Sequence, residues 1–222
     1  MNSEQKYVFG SAIADEVARK LLEIGAIKDK SRSPGGLGFR LKLHDVNPDA
    51  PLSPYYVDLR IVRSSPPLLR RIGQLLVQRS SGLDYDLLAD VPTAATPIVV
   101  AMSLITNCPM ITPREGKTHG SGSKVDGIFT EGQRVLVVDD LITKGDSKLQ
   151  AIDCLILAGL VVHDVLVLVD REQGGVAQLQ DAGYQVHMVY PFSALVDFYC
   201  REGSITEETC AEILIYMAQA MK

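Results

Sequence analysis

The sequence lacks the features of a secreted, membrane or general nucleic-acid-binding protein. No apolar run approaches the ~20 residues that span a bilayer. The start of the chain, MNSEQKYVFG, lacks the charged segment and apolar core of a signal peptide. The net charge of -5 argues against general nucleic-acid binding, which requires a basic surface. We therefore expect a cytoplasmic protein with neither a membrane nor a nucleic-acid partner.

Cysteine is scarce and scattered, and the sequence also lacks repeats and a dinucleotide-binding motif. The four cysteines are Cys108, Cys154, Cys200 and Cys210. No two form a CxxC pair, so neither a metal centre nor a disulfide framework is predicted, and we interpret them as small buried or half-buried residues. There is no internal repeat and no low-complexity segment. No GxGxxG follows a predicted strand, which disfavours a dinucleotide-binding enzyme.

Alternating strands and helices are what the sequence does contain. Apolar residues at helical spacing predict helices over 11–25 and 66–79. Short apolar runs predict strands near 85–89, 109–112, 135–139, 165–169 and 186–190. This order is typical of an α/β fold with a doubly wound, mainly parallel sheet, whose ligands bind at the carboxyl ends of the strands. Farther upstream, Phe39–Leu43 alternates apolar and basic residues and predicts one more strand.

The segment RVLVVDDLITKGDS, residues 134–147, carries the clearest chemistry. A buried strand leads to Asp139 and Asp140, then to a short polar turn and a helix predicted from Ser147. A helix N-terminus binds anions, because its first N–H groups lack partners within the helix, and the hydroxyls of Thr143 and Ser147 can add donors. The two acids repel a phosphate, and instead suit a sugar diol or a Mg²⁺ carried by the substrate. The pattern predicts a site for a phosphorylated sugar, although an ordinary strand–loop–helix remains open.

VLVVDDLITKGDS resembles the ribose-phosphate signature of type I phosphoribosyltransferases, which has four apolar residues, two acids, two apolar residues and then Thr-x-Gly-x-Ser/Thr. The resemblance implies that this segment binds 5-phosphoribosyl-1-diphosphate (PRPP). The implied PRPP-binding residues are Asp139, Asp140, Leu141, Ile142, Thr143, Lys144, Gly145, Asp146, Ser147 and, from upstream, Lys42.

A loop rich in glycine and basic residues resembles the mobile catalytic loop of orotate phosphoribosyltransferases, Arg-Lys-x-x-Lys-x-His/Tyr-Gly. Lys117, His119 and Gly120 match directly. Arg114 stands for the first lysine, while Pro113 replaces the arginine and removes one charge. The resemblance implies that Lys117, Arg114 and His119 are catalytic and meet the negative charge on departing diphosphate. It implies that Asp139 and Asp140 are also catalytic, by fixing the ribose. A solvated basic loop is the alternative interpretation.

Two further segments resemble the base-binding parts of the same family. DREQGG, residues 170–175, is similar to Asp-Arg-Glu/Gln-x-Gly, in which Arg171 would pair with the orotate carboxylate through two parallel hydrogen bonds. The implied orotate-binding residues are Arg171, Thr143, Lys42, Tyr55 and Tyr56. The matching halves Leu41-Lys42 and Ser53-Pro54-Tyr55-Tyr56 are separated by an insertion at about 44–51. A surface Arg–acid pair, an exposed lysine and a core tyrosine are the plainer alternatives.

The predicted diphosphate loop departs from the family. DVPTAATP, residues 90–97, is similar to Gly-Val-Pro-Tyr-Thr-Ala-Leu-Pro, but Asp90 replaces the glycine and Thr93 the tyrosine. A carboxylate beside diphosphate costs affinity unless it turns away or meets a metal.

The resemblance covers about residues 10–195, and the chain is identified as a member of the orotate phosphoribosyltransferase family, similar to the form in UMP synthase. It implies a single domain over 1–222, with an N-terminal hood over about 1–60, a core over 61–192 and C-terminal helices over 193–222. The implied reaction converts PRPP and orotate to orotidine 5′-monophosphate and diphosphate. Mg²⁺ would be bound through PRPP near the paired acids, and a homodimer would share its active sites. A transferase for another base and a non-catalytic PRPP-binding regulator are the alternatives.

Overall fold

The structure is a computed structural model that describes residues 10–114 and 124–220, without the side chains of Lys42, Leu43 and Ala220. None of the helices in these ranges combines the length and the apolar character needed to cross a bilayer. In chain order the helices and strands are α1 (Ala12–Glu23), β1 (Ile27–Asp29), β2 (Tyr55–Val57), α2 (Pro66–Arg79), β3 (Leu87–Asp90), α3 (Thr96–Thr106), β4 (Met110–Pro113), β5 (Val125–Asp126), β6 (Arg134–Ile142), α4 (Asp146–Leu157), β7 (Val161–Asp170), α5 (Gly175–Asp181), β8 (Gln185–Pro191), α6 (Phe192–Arg201) and α7 (Glu207–Ala220).

The main sheet has six strands in the order β5-β4-β3-β6-β7-β8. All neighbours pair in parallel except β4 and β5, which are antiparallel. From β3 the chain builds one side of the sheet through β4, and from β6 it builds the other side through β7 and β8. The strand order therefore reverses between β3 and β6, which is where open α/β sheets form a crevice at the carboxyl ends of their strands.

Helices cover both faces of this sheet, which confirms the predicted doubly wound α/β fold. Along β6, Leu136 and Val138 join an apolar cluster that includes residues of α2 and α3. Val135 and Val137 point to the opposite face and join a cluster with α4 and α5. Strand β6 is buried on both faces, as its continuous apolar run predicts.

The N-terminal segment differs from its prediction. Residues Phe39–Leu43 do not form a strand: Phe39 makes an isolated bridge with Ser53, and a 3-10 turn begins at Lys42. The small sheet is instead made by β1 and β2, which are antiparallel. The insertion at 44–51 folds back on His44, whose Nδ1 accepts the N–H of Leu41 (2.8 Å) and whose Nε2 then donates to the Ala50 carbonyl (3.2 Å).

Two buried tyrosines join the N-terminal helix to the C-terminal part of the chain. The Tyr190 hydroxyl, at the end of β8, donates to the Ala14 carbonyl of α1 (2.7 Å). The Tyr199 hydroxyl, on α6, donates to the Ala18 carbonyl (2.8 Å). Burial raises the pKa of both phenols, so they remain neutral donors. Helix α1 is thereby fixed to the end of β8 and to α6.

Candidate active site

The paired acids lie within β6 and not beyond its end, which corrects the strand boundary expected from sequence. Parallel pairing with β7 continues to the partners Ile142 and Asp170. On the other side, Asp90 of β3 pairs with Val138, immediately before the acids. Asp139 and Asp140 are 4% and 8% exposed. They therefore lie at the point where the strand order reverses, at the floor of the crevice.

Asp139 is held at both carboxylate oxygens. Its Oδ1 accepts the N–H of Asp140 (2.9 Å), and its Oδ2 lies 2.5 Å from Nζ of Lys148. Lys148 is itself buried and also donates to the Leu141 carbonyl (2.6 Å). Burial raises the pKa of Asp139, and the Lys148 ammonium opposes that change. The side chain is thus fixed in one orientation.

Asp140 holds its proton more tightly than an ordinary aspartate. Burial and then the neighbouring Asp139 charge raise the pKa of Asp140 to about 8, although Lys148 acts in the opposite direction. Two carboxylates on adjacent buried residues repel each other when both are ionised, so double ionisation is disfavoured. Near neutral pH, Asp140 can therefore carry a proton, and its carboxyl group can both donate and accept a hydrogen bond. That combination suits a vicinal diol.

The turn after β6, residues 143–147, is closely packed against α5, and we call it the phosphate turn after its predicted role. Gly145 donates its N–H to Oε1 of Gln178 (2.8 Å), and the amide of Gln178 donates to Asp146 (2.8 Å). A Cβ at Gly175 would lie 2.6 Å from Ile142 Cγ1 and 2.8 Å from the Thr143 carbonyl oxygen. Helix α4 begins within this turn at Asp146, and its N-cap, Gly145, has no side chain to satisfy the first N–H groups. The first N–H groups of α4 are therefore a place where an anion can bind.

Asp90 turns away from the crevice. It is fully buried, and it accepts hydrogen bonds from the hydroxyls of Thr96 on α3 and Thr112 on β4, the latter at 2.6 Å. Both carboxylate oxygens are therefore engaged inside the protein. Asp90 ties β3, β4 and α3 together beneath the 91–95 loop, whose Pro92–Thr93 peptide is cis. The carboxylate that replaces the family's glycine does not face an anion above the loop.

Arg171 lies beside the aromatic residues of the N-terminal segment. Its Nη2 is 3.3 Å from the Tyr55 hydroxyl, and its guanidinium carbon lies 5.3 Å from the centre of the Tyr55 ring. Tyr55 is fully buried and stacks on Phe192 (4.4 Å between centroids). Nε of Arg171 is buried and has no hydrogen-bond partner among the described residues. A buried, unpaired donor on a cation is a site where an anionic ligand gains energy.

Tyr56 occupies the other face of β2. It is half-buried and stacks on Phe39 at 5.5 Å. The two predicted orotate-binding tyrosines therefore have different surroundings. Tyr55 supports Arg171 from within the core, and Tyr56 lines the surface of the N-terminal segment.

The loop that carries Arg171 is braced from two sides. On one side, two of its N–H groups donate to the end of β6 and to the phosphate turn. The Arg171 N–H donates to the Ile142 carbonyl (2.9 Å), and the Gly175 N–H donates to the Thr143 carbonyl (3.1 Å). Glu172 adopts a positive φ of 57°, and its carboxylate accepts the N–H (2.7 Å) and hydroxyl (3.0 Å) of Ser193 in the first turn of α6. A carboxylate at a helix N-terminus is favourable.

Several predicted residues lie outside what the structure describes. Lys117 and His119 fall in 115–123, and the side chain of Lys42 is not described. Arg114 stands at the base of that loop, where its N–H donates to the Lys124 carbonyl (2.7 Å) and its guanidinium pairs with Asp126. Arg114 Nε is buried without a partner among the described residues. Lys144 and Ser147 are exposed at the turn.

Sequence reasoning missed Lys148 and Gln178. A lysine in the first turn of a helix is ordinarily interpreted as exposed, since lysine is rarely buried unless it is paired. Gln178 has no sequence signal, because its partners become neighbours only when α5 packs against the phosphate turn. Only the buried acids of β6 could have suggested that a cation must be nearby.

The described residues contain no group of three or more His, Cys, Asp or Glu side chains placed to bind a metal. Asp139 is already paired with a lysine, whereas Asp140 has no cation within ion-pair distance among the described residues. Carboxylate oxygens such as these are ligands that Mg²⁺ accepts, usually together with phosphates of its substrate.

Comparison with known proteins finds relatives in sequence and in structure. The chain is 34% identical to the orotate phosphoribosyltransferase of Pyrococcus furiosus over 158 residues, which covers 70% of the chain and 85% of that protein. It is 38% identical to the bifunctional enzyme PyrF/PyrE of Nostoc sp. over 156 residues, but spans only 33% of that enzyme. Among solved structures, Leishmania donovani UMP synthase superposes with a TM-score of 0.79 at 29% identity, covering 93% of this chain and 42% of that one. No protein-family model matches the chain.

Proposed function

The chain belongs to the orotate phosphoribosyltransferase family, and from that premise we propose that it transfers phosphoribosyl from PRPP to orotate. The products are orotidine 5′-monophosphate and diphosphate. The observation that carries the proposal is the placement of the paired acids, the phosphate turn and Arg171 along one edge of the sheet. That edge carries two adjacent acids, the N-terminus of α4 and a guanidinium.

Each element has a defined task in this reaction. The turn at 143–147 holds the 5′-phosphate at the start of α4. Asp139 and Asp140 hold the ribose hydroxyls, so that C1 of the sugar is fixed relative to the base. Arg171 orients orotate by pairing with its carboxylate. No protein nucleophile is required, because the base nitrogen attacks the sugar carbon as diphosphate departs.

Charge on the leaving diphosphate has to be neutralised at the other end of the sugar. We assign this task to Lys117, Arg114 and His119, which the sequence places in and beside the loop that follows β4. Mg²⁺ carried by PRPP would supply further positive charge, and the paired acids are the residues that would lie near it. Asp90 does not oppose the departing anion, because its oxygens are engaged by Thr96 and Thr112.

The decisive experiment follows the ultraviolet absorbance of orotate in the presence of PRPP and Mg²⁺. We expect orotate loss that requires both PRPP and the metal, and a clearly lower rate for Lys117→Ala because one cation at the diphosphate is removed. The absence of orotate loss from folded protein would overturn the proposal. Turnover of uracil or a purine would then identify a transferase for another base, and PRPP binding without diphosphate release would identify a non-catalytic binding protein.

We also propose a homodimer with shared active sites. An apolar groove of about 470 Å³ runs between α2 and α3. On its α3 side Leu104 is 77% exposed and Val100 40%. Contiguous exposed apolar surface of this kind is typical of a protein–protein contact. A second copy is the occupant that the family resemblance implies.

Mixing two inactive variants tests this arrangement. If the loop of one subunit completes the site of the other, Lys117→Ala and Arg171→Ala subunits should regain activity together, because one site of each mixed dimer has both residues. The rate is measured before and after subunit exchange, with mixed-dimer formation checked by differently tagged subunits. Mixed dimers that form and remain inactive would contradict shared sites.

A further inference from the structure

Lys148 is a buried cation that none of the sequence motifs assigns to the site. Its side chain is 5% exposed, in the first turn of α4. Its ammonium contacts Asp139 Oδ2 (2.5 Å), the Leu141 carbonyl (2.6 Å) and Ser147 Oγ (3.5 Å). A lysine has three N–H donors, and here three acceptors of the protein surround it. Lys148 is therefore arranged to act on its neighbours, and not to bind a substrate phosphate.

The neighbour that matters is Asp139. The Lys148 ammonium, at 2.5 Å, and the Asp140 N–H, at 2.9 Å, together hold both oxygens of the Asp139 carboxylate. The contact to the Leu141 carbonyl also ties α4 back to β6, so the same lysine links the phosphate turn to the diol site.

We propose that Lys148 is a positioning residue that holds the Asp139 carboxylate toward the ribose hydroxyls, and so sets the affinity for PRPP. This inference rests on the proposed function, because it assigns Asp139 to the ribose of PRPP. It predicts a selective effect. Loss of the cation weakens recognition of the sugar, and leaves the orotate side of the crevice, at Arg171, unchanged.

The test replaces Lys148 by methionine, which keeps the length of the chain and removes the charge. We expect KM for PRPP and the calorimetric Kd of PRPP with Mg²⁺ to rise about 10-fold or more, as when a residue that orients a ligand-binding group is removed. KM for orotate should change by less than about 3-fold, since Arg171 is untouched. Lys20→Met, which removes an exposed lysine of α1, is the control and should leave both constants unchanged.

A double-mutant cycle separates positioning from a general structural role. Because Lys148 acts through the Asp139 carboxylate, Lys148→Met should have less than about 3-fold further effect on PRPP affinity when Asp139→Asn is already present. Equal losses with and without Asp139→Asn, or unchanged PRPP affinity in folded Lys148→Met, would overturn the inference.

Lys148→Met alone could fail to fold, since an unpaired buried carboxylate is strongly destabilising. A comparison of the double variant with Asp139→Asn then decides the question. The double variant removes both charges, so it is compared directly with Asp139→Asn, and PRPP Kd values that differ more than about 10-fold would refute the inference. The calorimetric measurement needs no turnover. Wild-type protein that binds PRPP but consumes no orotate would therefore defeat the proposed function while still deciding the role of Lys148.

Discussion

Replacing Arg171 by alanine is expected to lower kcat/KM for orotate by on the order of 10²- to 10³-fold, because removing one partner of a buried charge pair costs about 2–5 kcal/mol. The guanidinium has a buried Nε without a partner among the described residues, and Tyr55 supports it from one side. Binding of the orotate carboxylate would use that free donor. The measurement is the initial rate of orotate loss at several orotate concentrations.

Two comparisons make this result specific. Arg171→Lys retains the charge but loses the planar fork, so it should recover only part of the activity. The Kd of PRPP, measured by calorimetry without orotate, should stay close to the wild-type value in both variants, because Arg171 lies on the base side of the crevice. Wild-type orotate kinetics in folded Arg171→Ala would show that the base binds elsewhere.

Substituting alanine for Gly175 is expected to destabilise the fold by about 3 kcal/mol and to weaken PRPP binding as well. The added Cβ would meet Ile142 Cγ1 at 2.6 Å and the Thr143 carbonyl oxygen at 2.8 Å. Both contacts are shorter than a carbon atom tolerates, and one of them is to backbone, so the phosphate turn must move. Urea unfolding monitored by circular dichroism and calorimetric titration with PRPP measure the two effects.

Gly145→Ala is the matched control for this substitution. A Cβ there would lie 3.3 Å from side-chain atoms of Gln178 and Leu179, which can shift by a few tenths of an ångström. Neither glycine has a positive φ, so the comparison isolates crowding from backbone strain. Equal stability of the two variants would contradict the packing argument.

Much of the fold could be predicted because buried strands and amphipathic helices leave local patterns in the sequence. Helix α2 occupies 66–79 as predicted, and the apolar run of β6 was correctly located. Strands β1 and β5, of three and two residues, are too short to show a period. The alternation over Phe39–Leu43 is real, but it was misleading, because a strand also needs a partner and only Phe39 has one.

The site shows the same division between local and non-local information. Asp139, Asp140, the phosphate turn and Arg171 are recognisable motifs, and the structure brings them to one edge of the sheet. The environment of Asp90 was not predictable, because its hydroxyl partners come from α3 and β4. Lys148 was missed for the same reason, since only the folded turn brings it to Asp139.

The backbone bonds that join the phosphate turn to the Arg171 loop have a consequence for how this protein can change. Ile142 and Thr143 accept the N–H groups of Arg171 and Gly175, and Gly175 leaves no space for a side chain against either acceptor residue. Under the proposed function these two segments recognise the sugar and the base, so a backbone shift in one is passed to the other. A variant selected for a new nucleobase would therefore have to adapt both segments together.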